Sequence, residues 1–192
     1  MPRGMWMKKS YSPAKGILAG MVGGLFASWV MNQFQAGMSK VTRKFGEEEA
    51  DADRWSGAQG HREHERAAGG EEEASTEKLA VAIAEGVFHT DLEPEEKKSA
   101  GSLVHYGYGG LMGALYGWAA ESSALTRAGS GALFGAALWF GSDEIGVPMF
   151  GLSKGPQEYP ISAHASALGA HIVYGVTTEL ARRALRRGYL AS

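Results

Sequence analysis

Polar and apolar positions alternate on a long scale along this chain. Gly16 to Ser39 contains no charged side chain, and Ser99 to Ala120 contains none apart from titratable His105. Ala128 to Phe150 is interrupted only by Asp143 and Glu144, and Tyr159 to Thr178 is again free of formal charge. Each run approaches the ~20 residues that a helix needs to cross a bilayer. The pattern predicts an all-α fold: a four-transmembrane-helix bundle with helices over about 14–38, 97–121, 128–150 and 161–187, in one membrane domain spanning residues 1–192. A water-soluble bundle with Gly/Ala-rich core helices is the competing reading, because these runs are poor in Leu.

A second periodicity lies inside the first. Small residues recur every four positions: Gly16, Gly20, Gly24, Ser28, then Asn32 and Ala36 in the first run. The second has Gly101, His105, Gly109, Gly113, Gly117 and Glu121, and the third Gly131, Gly135, Trp139 and Asp143. The fourth has Ala163, Ala167, His171, Gly175, Glu179 and Arg183. Residues four apart share a helix face, and rows of small residues let membrane helices approach backbone to backbone. Glycine is a poor helix former in water, so such rows favour lipid as the solvent.

Charge is segregated between the runs. Of 21 acidic residues, 16 fall between Glu47 and Glu96. Residues 39–98 therefore read as a long acidic loop, partly disordered, with a short amphipathic helix over 75–89 that aligns Leu79, Ile83 and Val87 on one face. His61 and His64 stand three apart, but a solvated charge run explains them better than a metal site. Pro94, Glu95 and Glu96 mark the start of the second long helix. The net charge of −2 gives no reason to expect nucleic acid as a partner, and the absence of cysteine excludes disulfides and thiolate metal sites. Lys8 and Lys9 precede the first run in the manner of a signal peptide, but that run is long for one and lacks a clean cleavage site, so a retained helix is expected. Basic residues near both ends fit cytoplasmic termini, a reading that Lys40, Arg43 and Lys44 weaken.

If successive helices alternate direction, Asn32, His105, Asp143, Glu144, His164 and His171 gather on the side of the acidic loop, and Glu121 and Glu179 on the other. Such groups are either hydrogen-bond glue between helices, worth ~0.6 kcal/mol per pair, or a titratable cluster of the kind that relays protons. A metal site of His105, His171, Asp143 and Glu144 is chemically conceivable, yet no local ligand motif supports it. Phosphate-binding loops, dinucleotide fingerprints and a GxSxG nucleophile are missing. No catalytic residue, cofactor or metal is expected.

His105, Tyr116, Ala120 and Glu121, with Pro148, Gly151, Leu152, His171, Glu179, Arg182 and Arg183, resemble the YagU-like family of bacterial inner-membrane proteins. Asp143–Glu144 and Tyr159–Pro160 fit the same pattern, which covers roughly the last 90 residues and the start of helix one. The resemblance implies a multi-pass inner-membrane protein with a link to acid resistance, and it supplies no catalytic residues. Two functional expectations follow. One is a pH-responsive or proton- and small-solute-conducting protein. The other is a structural or partner-binding membrane protein that docks its partner through the acidic loop and the 75–89 helix; a homo-oligomer is a further expectation, since four short helices make a thin bundle.

Overall fold

The computed structural model describes residues 12–56 and 67–188, with side chains over 12–41 and 75–188. The described residues are helical, without strands: α1 (Pro13–Ser56), α2 (Ala67–Ile83), α3 (Pro94–Ser122), α4 (Ala132–Trp139), the single turn α5 (Val147–Met149) and α6 (Ile161–Gly188). π-helical turns extend α2 over Ala84–Phe88 and α4 over Phe140–Gly146. The basic N-terminal residues and the His61/His64 pair lie outside the described residues. Within 39–98, expected as an acidic and partly disordered loop with a short helix, α1 runs to Ser56 and α2 begins at Ala67. Glu, Ala, Lys and Arg are strong helix formers, and they dominate that stretch.

Helix α1 is the centre of the bundle and packs on both α3 and α6; α4 lies on α6, and α2 on α3. The buried positions of α1 are Gly16, Ala19, Gly20, Gly23, Gly24, Ala27, Ser28 and Met31, a helical stripe built almost entirely from small residues. It meets α3 antiparallel. A Cβ added at Gly20 would strike the Gly113 carbonyl oxygen, one at Gly24 that of Gly109, and one at Gly117 that of Gly16. The same device joins α4 to α6, where Gly131 meets Gly175 and Gly135 meets the backbone of His171. On its other flank α1 reaches α6 through Gly23, where a Cβ would lie 2.9 Å from the Thr178 oxygen.

Local sequence sets the ends of these helices. Glu93 caps α3 through a reciprocal box in which its own N–H donates to the Glu96 carboxylate at 2.9 Å, and Pro94 occupies the first turn. Gly129 (φ 62°), Ser130 (φ 54°) and Gly131 (φ 93°) turn the chain into α4 in the left-handed region. Glycine at 131 serves twice, since that φ disfavours a side chain and Gly175 leaves no room for one. The third helix was expected to be continuous over about 128–150. It winds without interruption over 132–149, with its middle, Phe140–Gly146, in π-helical register.

The interior holds mainly small and polar groups around Met31, Tyr116 and Tyr174, while many large apolar side chains point outward. Buried residues include Ala19, Ala27, Ala120, Ala170, Ser28, Thr178, Glu179 and Arg182. Leu18, Val22, Phe26 and Trp29 of α1, Leu103, Leu111, Leu115 and Trp118 of α3, and Leu133 and Phe140 after the turn are all exposed. Helix α2 follows the same rule. It packs through Ser75, Ala80 and Ala84, while Ile83, Val87 and Phe88 face out, the last at 71% exposure. Among the described residues one stretch, Pro13–Val41, is long and apolar enough by composition to cross a membrane. The expected four spans are not matched on that criterion, which only this stretch of α1 meets among the described residues.

Substitution separates close approach from mere helix composition. Gly113→Ala is expected to lower stability by about 1–3 kcal/mol, because the clash is with backbone. Gly107→Ala, on the same helix with nothing within 4 Å of the added Cβ, should be neutral or stabilising by up to ~1 kcal/mol. Thermal unfolding of the two variants in detergent checks the contrast, and equal effects would contradict the packing described.

Candidate functional site

Five of the six titratable-cluster candidates line one cavity. It has a volume of about 540 Å³, and its wall includes His105, Asp143, Glu144, His164 and His171. α1 supplies Ser28 and Met31, α2 supplies Ser75, Thr76 and Leu79, and α3 supplies His105, Tyr108 and Gly109. The π-helical stretch delivers Asp143 and Glu144, and α6 delivers both other histidines. The sixth candidate, Asn32, does not line it; its amide donates to the Tyr106 hydroxyl at 3.4 Å. A π-turn widens the helical repeat and re-aims side chains. Here that irregularity carries the two adjacent carboxylates toward α6.

Each carboxylate meets a histidine. His164 Nδ1 lies 2.6 Å from Glu144 Oε1, and its Nε2 lies 3.0 Å from the Pro156 carbonyl oxygen. An ionised carboxylate and a carbonyl are both acceptors. The geometry is satisfied only when both ring nitrogens carry hydrogen, or when Glu144 holds the second proton itself. One proton beyond the neutral imidazole and the carboxylate is therefore shared by this pair. His171 differs: its Nδ1 is 3.0 Å from the Ala167 carbonyl, which fixes Nδ1–H as the donor, and 3.6 Å from Asp143 Oδ2. That second distance is an ion-pair separation and too long for a hydrogen bond. His105 contacts Tyr106 edge to face, with ring centroids 5.4 Å apart.

Hydroxyl groups brace the wall. Tyr108 and Ser142 share a hydrogen bond at 2.5 Å, tying α3 to the π-helical stretch. The Tyr174 hydroxyl donates to the Gly109 carbonyl at 2.6 Å, across the glycine contact between α1 and α3. Lys78 of α2 donates to the Leu152 carbonyl at 3.0 Å and so pins the α5–α6 connection. Among the described residues, no three or more His, Asp or Glu side chains are arranged to hold a metal ion. The conceivable set of His105, His171, Asp143 and Glu144 does not converge.

Glu121 and Glu179 lie at the opposite end of the bundle and are enclosed by arginines. Arg182 grips Glu179 with two hydrogen bonds, Nε to Oε2 at 2.6 Å and Nη2 to Oε1 at 3.0 Å, and Arg183 Nε adds a third at 2.6 Å. Arg182 Nη1 reaches Glu121 at 3.3 Å, and Arg186 clamps the same carboxylate with two bonds at 2.9 Å. Glu179 is 0% exposed. Arg127 closes this end by donating to the Ala120 carbonyl at the end of α3. The sequence placed these carboxylates on the correct end but not against their partners. The signal was present in the Glu179–Arg182–Arg183 spacing, since residues three and four apart meet on a helix.

The fold and site define a helical bundle with a largely apolar cavity holding histidines and carboxylates at one end and a buried ionic cluster at the other. The chain belongs to the family described as "Protein of unknown function (DUF1440)", whose model matches residues 62–180. The match begins ahead of α2 and so includes it. Comparison with curated proteins and with solved structures gives no match.

Removing one member of a buried ion pair strands the other in a medium that solvates it poorly. Arg182→Ala is expected to destabilise the protein by about 3–5 kcal/mol. Arg183→Ala, whose side chain is far more exposed, should cost about 1 kcal/mol or less. Chemical unfolding in detergent measures both, and equal losses would show that burial of the pair does not govern its contribution.

Proposed function

We propose that this chain is a multi-pass protein of the bacterial inner membrane whose cavity responds to protons and admits a small solute from the side of the acidic loop. α1, α3, α4 with its π-helical extension, and α6 are the four crossings. The inverted packing supports lipid as the surrounding solvent: small and polar groups inside, large apolar groups outside on several helices. Lys15, Arg127 and the arginines late in α6 gather at one end of the bundle, which supports cytoplasmic termini. Lys40, Arg43 and Lys44 stand on α1 at the other end of its apolar stretch and weigh against that orientation.

The observation that carries the functional reading is His164 held between two acceptors on the cavity wall, beside a second histidine–carboxylate pair. Histidine changes charge between about pH 5 and 8. When the shared proton leaves the His164–Glu144 pair, one of the two contacts to His164 faces acceptor against acceptor and must open. The released contact is either the tie to the π-helical stretch or the tie to the turn at Pro156. The far end is filled by Tyr116, Glu121, Glu179 and the arginines, which favours a one-sided binding cavity over an open conduit. The acid-resistance link implied by the YagU-like resemblance suits such a proton-responsive site.

Contacts completed by the extra proton are present at low pH and lost as pH rises. Backbone hydrogen exchange over 155–165, corrected for intrinsic rates, should be slower near about pH 5 than near about pH 8. Glu144→Gln should remove that difference. Cells carrying His171→Ala or Asp143→Asn at unchanged expression should survive acid less well. Identical protection at the two pH values, together with unaltered survival, would overturn the reading.

A further inference from the structure

We infer that the arginine-rich end of the bundle holds anionic phospholipid, with the phosphate on the late arginines of α6 and the acyl chains on the apolar side chains just before them. This goes beyond the cavity and rests only on the lipid-facing bundle of the reading above. Six basic side chains meet at that end. Arg182, Arg183 and Arg186 bind Glu121 or Glu179, and Arg187 follows in the last turn of α6. Arg127 donates to the Ala120 carbonyl. Lys15 precedes Gly16, where an added Cβ would lie 2.5 Å from Glu121 Cγ. Among the described residues two carboxylates, Glu121 and Glu179, stand against these six bases, which leaves an excess of four positive charges.

That excess does not depend on which base holds which carboxylate. Of the other acidic residues after Glu96, Asp143 and Glu144 wall the cavity, and Glu158 lies in the turn beside it, before α6. The acidic stretch from Glu47 begins about 48 Å along α1 from Lys15, far beyond a Debye length of ~8 Å. The segments outside the described residues add no net negative side-chain charge. Residues 1–11 hold Arg3, Lys8 and Lys9 without Asp or Glu, 189–192 hold no charged side chain, and 57–66 balance two arginines with two glutamates. The other end of α1 has no such excess, since residues 40–56 set four basic side chains against five acidic ones.

The placement of apolar side chains selects a lipid over a free anion. Arg183 uses Nε on Glu179 and is 37% exposed, and the other N–H groups of its fork suit a phosphate. Arg187 is exposed one turn further along the same face. Leu180, also exposed, stands three residues before Arg183 and seven before Arg187. Leu18, exposed three residues after Lys15, repeats on α1 the order of base at the end and leucine toward the middle. An amphiphile matches both parts, whereas a free phosphate has no use for the leucines. Juxtamembrane Lys and Arg draw anionic lipid in this way.

Full-length protein reconstituted in phosphatidylcholine vesicles tests this with trace phosphatidylglycerol or phosphatidylcholine, each spin-labelled on an acyl chain. The motionally restricted fraction should give phosphatidylglycerol a relative association constant about fivefold or more above that of phosphatidylcholine at low salt. The preference should approach equality in about 1 M salt. Arg183→Gln with Arg187→Gln should reduce it at least about threefold, while Lys40→Gln leaves it unchanged. Arg187→Gln alone, at an exposed position, should also reduce it and decides the matter if the double variant does not fold. Equal restriction of the two lipids, a preference that survives about 1 M salt or the arginine substitutions, or an equal loss in Lys40→Gln overturns the proposal and leaves the lipid-facing bundle intact. Displacement of phosphatidylglycerol by inorganic phosphate at constant ionic strength would assign these arginines to a free anion and overturn it as well. No restricted probe of either kind removes both the proposal and the membrane reading.

Discussion

Backbone-to-backbone contact between glycine-lined helices is the constraint on which the rest of this structure depends. Gly16, Gly20 and Gly24 interlock with Gly109, Gly113 and Gly117, and Gly131 and Gly135 with Gly175. A single β-carbon at several of these places would collide with a carbonyl oxygen of the facing helix. Such contacts bury little apolar side-chain area, so the hydrophobic effect in water is a weak cement for them. They gain dispersion instead, which is how helices associate in a solvent as apolar as their own side chains. Large residues are thereby displaced outward, and Leu111, Leu115, Trp118 and their neighbours are exposed as a consequence.

The same close packing explains why the polar groups collect at the two ends. Between Gly16–Gly117 and Gly24–Gly109 the helices approach too closely to enclose a long side chain. Beyond Gly24, α1 presents Ser28 and Met31, α3 presents His105, and α4 loses its α-helical repeat at Phe140. The gap left there is the cavity. At the other end, Glu121 and Glu179 enter a dry interior only because Arg182 and Arg186 enter with them. The bundle therefore has two chemically different ends: one closed by carboxylates paired with arginines, the other hollow and lined by histidines and carboxylates.

Much of this was legible in the sequence because the rows of small residues have a period that only a helix can use. The four-residue spacing put Gly113 and Gly20 on packing faces, and helix direction alone gathered His105, Asp143, Glu144, His164 and His171 toward one end. Other features were not legible. Nothing in Phe140–Gly146 announces a π-turn, because wider winding is selected by the tertiary fit of Asp143 and Glu144 rather than by local propensity. The alignment of Leu79, Ile83 and Val87 left open which way that face of α2 turns, because it fits both a helix at the interface and one packed on the bundle. In this bundle the small residues point inward, and Ala80 and Ala84 take the inner face. Asn32 shares the row of Gly24 and Ser28, yet it finds Tyr106 before it can reach the cavity.

The central claim is that hydrocarbon, rather than water, surrounds the outward face of these helices. Spin labels on single cysteines decide it directly, since the chain contains no cysteine of its own. A label replacing Leu115 in the reconstituted protein should collide readily with oxygen, which concentrates in hydrocarbon, and rarely with a water-soluble nickel complex. Preferential collision with the nickel complex at Leu115 would place that face in water and contradict the account.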